Sequence, residues 1–215
     1  MKTAQRPNIS LVIPVFNEAE NLEELHRELA AVLEKTGRAF EVIFIDDGSA
    51  DSSWLVLKSL QQKDSRVKLI RLRRNFGQTA ALAAGFDQAT GEVIISLDAD
   101  LQNDPSDIPV LIREIEEGAD IVSGWRRSRK DKFFSRRVPS VIANKLISWL
   151  TRVPLHDYGC TLKAFRSEVI KNIKLYGELH RFIPAIASQL GVRIAEVEVN
   201  HRPRKHGKSK YSIFR

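Results

Sequence analysis

Short apolar runs alternate along this chain with longer stretches whose apolar residues recur every three or four positions, which predicts strands alternating with helices through residue 124. Residues 9–15 read as a buried strand, and the polar Asn17-Glu18-Ala19-Glu20-Asn21 that follows has the makeup of a helix start. In 22–33, Leu22, Leu25, Leu29, Val32 and Leu33 fall on one helical face. A second strand, 40–45, runs into Asp46-Asp47-Gly48-Ser49, a glycine turn before a helix over 52–62. The unit then repeats: a strand at 67–72, a turn through Arg73-Arg74-Asn75-Phe76-Gly77-Gln78, and an alanine-rich helix at 79–89 that Gly91 closes. Next comes the apolar run starting at Val93, then Asn103-Asp104-Pro105-Ser106 as a cap for a helix ending at 117, then a strand at 119–124.

This order implies an α/β fold with a doubly wound, largely parallel central sheet flanked by helices. Ligands of such sheets bind outside the carboxyl ends of the strands. Four polar constellations stand there: Asn17 and Glu18, Asp46 and Asp47, Asp98 and Asp100, Arg126 and Arg127. Strand geometry would send Asp98 and Asp100 to one side, with Gln102 as the next same-side position. Two carboxylates so placed repel unless a cation lies between them, and oxygen ligands suit Mg²⁺ or Mn²⁺. The competing reading of Asp98-x-Asp100 alone is an acidic turn that ends a strand. Four such constellations on one rim favour a site.

Composition narrows the class. With 215 residues, 43% of them hydrophobic, the chain can bury one large core, and it is read as a single domain. Cys160 is the sole cysteine and forms no internal disulfide, and the five histidines show no metal-finger or His-Glu-x-x-His spacing. The histidines are read as surface or local hydrogen-bonding residues. Residues 1–8 lack the apolar core of a signal peptide and no 18 apolar residues run together, so the chain as given is expected to be soluble. Neither Gly-x-Gly-x-x-Gly after the first strand nor a P-loop is present, so any phosphate needs other partners, a metal or arginines.

The formal charge of +7 is concentrated: residues 126–137 carry +6 and residues 201–215 another +6, leaving −5 on the rest. Nucleic acid, the phosphates of a small donor and an anionic membrane surface would each draw that pattern. Phe133-Phe134 inside the first basic run, and the amphipathic 138–150 segment after it, suit a helix at a lipid interface or an ordinary core-facing helix. Nucleic acid is disfavoured, because no reader motif is present and the acids gather on the same expected rim as the arginines.

Six blocks, in order and spacing, resemble the family 2 glycosyltransferases of GT-A fold, and within them the polyprenyl-phosphate glycosyltransferases related to dolichyl-phosphate mannose synthase. They are Pro14-Val15-Phe16-Asn17-Glu18, Asp46-Asp47-Gly48-Ser49, Asn75-x-Gly77, Asp98-Ala99-Asp100-Leu101-Gln102 with Pro105, Asp157-Tyr158-Gly159-Cys160, and Arg204-x-x-Gly207-Lys208-Ser209-Lys210-Tyr211. The last two are similar to those of bacterial undecaprenyl-phosphate transferases of the glucosyl and aminoarabinose types, and do not choose between these donors.

The resemblance implies a GT-A, Rossmann-like fold. It also implies an inverting, metal-dependent transfer of sugar from a nucleotide-sugar donor, a UDP-sugar in preference to GDP-mannose, to a polyprenyl phosphate. By position, Pro14, Phe16, Glu18 and one of Asp46 or Asp47 would hold the nucleoside. Asp98 would lie near ribose and metal, and Asp100 and Gln102 would ligate Mg²⁺ or Mn²⁺. Arg126, Arg136 or Arg137, Arg204, Ser209 and Lys210 would meet phosphates of donor or acceptor. Asp100 and Asp157 are the expected catalytic residues, Asp157 on the acceptor side, although Asp157-Tyr158-Gly159 also reads as a turn whose carboxylate bonds backbone amides. Relatives of this kind continue past the Tyr211 region into membrane spans, so the chain is expected to be the soluble portion of a longer protein at the cytoplasmic face of a membrane, with homo-oligomerisation left open.

Three rivals stand beside this reading: the same donor chemistry with a soluble glycan or protein acceptor, a basic nucleic-acid-binding module, and a relative that only binds donor. The tail from Arg204 to Lys210 contains no acid, so its ordering is expected to need an anion, either reacting phosphates over which it closes or a membrane surface that it tethers.

Overall fold

The computed structural model describes residues 8–127, 148 and 153–206. Arg136, Arg137, Ser209, Lys210 and all of the 138–150 segment but Ser148 lie outside the described residues. The elements run β1 (Ile9–Val15), α1 (Ala19–Glu34), β2 (Phe40–Asp46), α2 (Ser53–Lys63), β3 (Val67–Arg71), α3 (Gln78–Gln88), β4 (Val93–Ser96), α4 (Ile108–Glu116) and β5 (Ile121–Trp125). After the basic segment come β6 (Lys163–Arg166), α5 (Ser167–Ile170), α6 (Ile183–Ser188) and β7 (Ile194–Glu198).

The strands form one seven-stranded sheet in the order β3-β2-β1-β4-β6-β5-β7. All neighbours pair parallel except β6, which lies antiparallel between β4 and β5. The sheet is thus largely parallel, as the β-α alternation implies, with one reversed strand that local pattern does not announce.

Alternate residues of β1 and β2 feed two cores. Ile9, Leu11, Ile13, Val15, Phe40, Val42 and Phe44 pack with α1, α2 and α4, whereas Val12, Ile43 and Ile45 pack with α3, α5 and α6. On α1 the predicted stripe is buried at Leu22, Leu25, Leu29 and Leu33, each contributing about 2 kcal/mol through area removed from water. Helix α3 approaches the other face so closely that a Cβ on Gly85 would strike the Val12 and Ile45 side chains, which is the reason for glycine there. Both cores support one rim, the carboxyl edge of β1, β2, β3, β4 and β5. No helix among the described residues is long and apolar enough to cross a membrane.

Candidate active site

The rim is built by side chains that fix its loops. Beyond β1, Asn17 takes a left-handed conformation (φ 55°), its Oδ1 accepting from the amides of Ala50 (2.7 Å) and Asp51 (3.3 Å) while its own amide donates to Ser49 Oγ (2.9 Å). Asn is among the few residues that enter that region readily. Pro14, Phe16 and Glu18 are half-buried beside this turn. Asp46, fully buried, accepts from the Ser49 amide (3.0 Å) and faces Arg71 Nε at 3.4 Å.

Asp47 accepts from the amides of Phe76 (2.8 Å) and Gly77 (2.9 Å), tying the loop after β3 to the loop after β2. Burial, outweighing those two amides, raises its pKa, and the charge on Asp46 adds to the shift. Between the two loops a Cβ on Gly48 (φ 70°) would lie 2.5 Å from the Arg74 carbonyl carbon, so only glycine fits. Neither aspartate lines the cleft described next.

That cleft, about 200 Å³, opens at the carboxyl end of β4. Strand β4 stops at Ser96, so Asp98 and Asp100 reach the cleft from a turn and not by strand alternation, with Leu101 at φ 62°. A branched residue held there is strained, and Leu101 is anchored by its burial at 4% exposure. Asp98 Oδ1 accepts from Gln78 Nε2 at 2.7 Å, and Gln78 is the first residue of α3, directly after the Gly77 that Asp47 holds. Burial, then the charge on Asp100, raises the Asp98 pKa. Asp100 Oδ1 accepts from the Gln102 amide (3.1 Å), and Gln102 also lines the cleft.

The segment after β7 crosses this turn. Asn103 and His201 form an antiparallel bridge, and the Arg202 amide donates to the Gln102 carbonyl at 2.9 Å. Arg204 then enters the cleft, donating to Asp100 Oδ2 at 2.6 Å and to Gln102 Oε1 at 3.4 Å, with Glu18 Oε1 at 3.7 Å. Its neighbours also find acids: Arg202 pairs with Asp104 (2.7 Å) and Glu28 (2.6 Å), and Lys205 with Glu24 (2.7 Å). For the part of the tail that is described, through residue 206, this corrects the expectation that ordering needs an external anion; residues 207–210 lie outside the described residues. The acids absent from the tail come from α1 and the 100–104 turn, so its described part is neutralised within the chain.

Across the cleft, Arg126 is committed to Asp157 through a two-pronged pair, Nε to Oδ2 at 2.7 Å and a terminal nitrogen to Oδ1 at 3.0 Å. The Asp157 carboxylate also accepts from the Gly159 amide (3.2 Å), as the turn reading expects, and the Asp157 amide donates to Glu196 at 3.0 Å. Neither Arg126 nor Asp157 lines the cleft, which takes Tyr158, Gly159, Cys160 and Thr161 from the same turn. Arg126, which the resemblance assigns to phosphates of donor or acceptor, and Asp157, which it assigns to the acceptor side, are therefore one buried ion pair.

Sequence reasoning assigned no function to Gln78, Lys163, His180 or Arg181, all of which line the cleft. Lys163, on β6, is buried with its ammonium donating to the Tyr158 (3.3 Å) and Cys160 carbonyls, and burial lowers its pKa. His180 is 6% exposed, its Nδ1 lies 2.6 Å from Thr79 Oγ1, and burial, with help from Arg181 and Lys163, brings its pKa down to about 4. The only local signal for Gln78 is its place at the start of a helix after Asn75-x-Gly77.

The chemistry of the Asp100 turn fits a hard divalent cation, since a carboxylate, an amide oxygen and the Glu18 carboxylate already converge on the guanidinium of Arg204. Among the described residues no three His, Cys, Asp or Glu side chains gather as a metal cluster.

A mostly parallel sheet that presents an Asp-x-Asp turn and a polar cleft at its carboxyl edge is the architecture of the GT-A sugar transferases. Residues 10–174 match the model of the family described as glycosyl transferase family 2, and the chain belongs to that family. Its curated relatives include the dodecaprenyl-phosphate galacturonate synthase of Rhizobium johnstonii, 45% identical over 215 residues that cover 98% of this chain and 64% of that protein. The undecaprenyl-phosphate 4-deoxy-4-formamido-L-arabinose transferase of Salmonella dublin is also 45% identical, over 208 residues covering 96% of this chain and 63% of that protein. The chain thus spans a little under two thirds of the length of these relatives.

Among solved structures it is similar to glucosyl-3-phosphoglycerate synthase from Mycobacterium tuberculosis in complex with Mn²⁺ and UDP-glucose (TM-score 0.72, 19% identity, 94% of this chain and 72% of that one). It is also similar to a mannosyltransferase from Pyrobaculum calidifontis in complex with GDP-Man and Mn²⁺ (TM-score 0.66, 20% identity, 91% of this chain and 56% of that one). At these identities the likeness shows the GT-A fold.

Proposed function

We propose that this chain is the catalytic part of an inverting transferase, acting at the cytoplasmic face of a membrane, that moves a sugar from a nucleotide diphosphate, UDP in preference to GDP, to the phosphate of a polyprenyl lipid. The observation that carries the reading is the convergence of Asp100, Gln102 and Glu18 on one cationic group beside the cleft. The 45% identical relatives, both named for polyprenyl-phosphate products or acceptors, supply the substrate class.

In the reaction the bond from the anomeric carbon to the donor's β-phosphate oxygen breaks, and one from that carbon to an acceptor phosphate oxygen forms. The acceptor oxygen is already anionic near neutral pH, so the protein's task is positioning and charge screening more than proton abstraction. Asp100 and Gln102, with Asp98 behind them, would hold Mg²⁺ or Mn²⁺ together with donor phosphates. When bound, that ion neutralises charge on the departing nucleoside diphosphate.

Gln78 holds Asp98 in one orientation, and Arg204 is placed to exchange its acids for phosphate oxygens. Pro14, Phe16, Glu18, Asp46 and Asp47 form the nucleoside side of the rim, with the two aspartates acting by fixing its loops. Asp157 positions Arg126 for the acceptor side. Lys163, Arg181 and the neutral His180 face the sugar.

The test is to screen UDP- and GDP-sugars for Mn²⁺-dependent thermal stabilisation and to offer each hit with polyprenyl phosphate. Sugar-linked lipid is the expected product. Transfer only to a soluble glycan would replace the acceptor, and donor binding without any transfer would leave a non-catalytic relative.

A further inference from the structure

Arg73, Arg74 and Phe76, in the loop between β3 and α3, take no part in the cleft. Phe76 is 52% exposed, and Arg71, Arg73 and Arg74, close to it in sequence, are exposed as well. The Arg74 guanidinium lies 4.8 Å above the Phe76 ring, and Arg71 lies 4.9 Å above Trp54, which joins the end of β3 to the first turn of α2. In that turn Leu55 is 63% exposed. Among the described residues no carboxylate pairs with Arg73 or Arg74. The exposed acid nearest in sequence to Leu55, Asp51, has its carboxylate engaged by the amides of Ala19 and Ser53.

A single exposed aromatic is ordinary. This one is held out by construction: Asp47 binds the Phe76 and Gly77 amides, the Leu72 amide donates to the Asp46 carbonyl at 2.9 Å, and Gly48 lets the Arg74 backbone pack flush. A braced loop that presents Phe76 beside Arg73 and Arg74, which no described carboxylate pairs, presents both terms of interfacial binding, insertion at the headgroup boundary and attraction to anionic lipid.

We propose that the loop after β3, with Leu55 beside it, is a docking surface for an anionic bilayer, one that seats the carboxyl rim, and so the mouth of the cleft, against the membrane. The choice of a bilayer over another polyanion rests on the lipid acceptor proposed above. The surface itself is measured without donor or acceptor, so its failure and the failure of the transferase reading give different results.

The experiment is co-sedimentation of the chain with vesicles of equal parts phosphatidylglycerol and phosphatidylcholine, against phosphatidylcholine alone, at low and physiological salt. Wild type is expected to bind the anionic vesicles. R73Q/R74Q should lower the partition coefficient roughly twenty-five-fold at low salt, at about fivefold for each neutralised arginine. F76S should weaken binding at both salt concentrations, because the apolar contribution is not screened.

A control, K35Q/K63Q, removes two exposed charges at the C-terminal ends of α1 and α2, on the opposite edge, and should leave binding unchanged. Equal losses in the control would reduce the effect to net charge and overturn the proposal. So would binding to an oligonucleotide with none to vesicles, or loss of Mn²⁺-dependent UDP affinity in R73Q/R74Q with vesicle binding intact, which would assign the arginines to nucleic acid or to the donor.

Discussion

Replacing Arg204 by alanine should move stability and metal affinity in opposite directions. In the free chain the guanidinium donates to Asp100 at 2.6 Å and to Gln102 at 3.4 Å and lies 3.7 Å from Glu18, its side chain 22% exposed and that of Asp100 10%. Removing it deletes a charge-assisted hydrogen bond and leaves Asp98 and Asp100 to repel each other. The cost is about 1.5–3 kcal/mol, which for a domain of this size lowers Tm by roughly 3–12 °C.

A divalent ion seeking the same oxygens must first displace the arginine. Unit charges 4 Å apart interact by about 4 kcal/mol at an effective dielectric of 20; halved for solvent exposure and salt, that leaves about 2 kcal/mol. Mn²⁺ should therefore bind Arg204→Ala roughly thirtyfold more tightly than wild type, at that 2 kcal/mol. Calorimetric titration of Mn²⁺ without donor reads this directly, and thermal melts should show the gap between the two proteins closing as Mn²⁺ rises. Transfer should nevertheless fall, because the cation proposed to meet the phosphates is gone. Equal or weaker Mn²⁺ binding by Arg204→Ala would show that the guanidinium does not occupy the metal's place.

Asp100→Asn should abolish the gain in UDP affinity that Mn²⁺ confers, read by titration with and without the ion, and a retained gain would remove Asp100 from the ligand set. Asp157→Ala strands the Arg126 guanidinium, only 13% exposed, and should cost about 3–5 kcal/mol in urea unfolding; a loss under 1 kcal/mol would make the pair incidental. His180 supplies a pH dependence. With its folded pKa about 4 against the ordinary 6.5, the unfolded chain binds the extra proton between these values. Stability is therefore full above pH 6.5 and lost as pH falls toward 4, by about 3 kcal/mol at most. His180→Asn should flatten that slope in unfolding free energy measured across the window, and an unchanged slope would place the titration elsewhere.

How much of this was legible in the sequence follows from what each element depends on. Strands β1, β2 and β4 are covered on both faces, so they appear as apolar runs, and the acids behind them mark the rim without any knowledge of packing. Strand β6 is Lys-Ala-Phe-Arg, four residues with a charge at each end, and it is a strand because β4 and β5 flank it. Its Lys163 is at home in the interior only because the Tyr158 and Cys160 carbonyls receive the ammonium. Gln78 and His180 escaped for the same reason: their partners lie 20 and 101 residues away, at Asp98 and Thr79. Pairings at such separations leave no periodicity to read.

The described part of the tail, through residue 206, shows where a local charge argument fails. Counted within its own segment it is uniformly basic, and an external anion looks necessary. The structure supplies Glu24 and Glu28 from α1 and Asp100 and Asp104 from the β4 turn, drawn from the part of the chain that carries the compensating negative charge. These contacts differ in kind. Arg202 and Lys205 bind acids on the outer surface, which no phosphate in the cleft would contest, and so can keep the segment docked whether or not the cleft is filled. Arg204 alone binds an acid that the proposed metal also needs. Binding donor and metal as proposed would then require one side chain to change partners on a strap that stays in place, and because residues 201–206 are already docked, little conformational entropy would be lost as Arg204 turned from Asp100 to a phosphate.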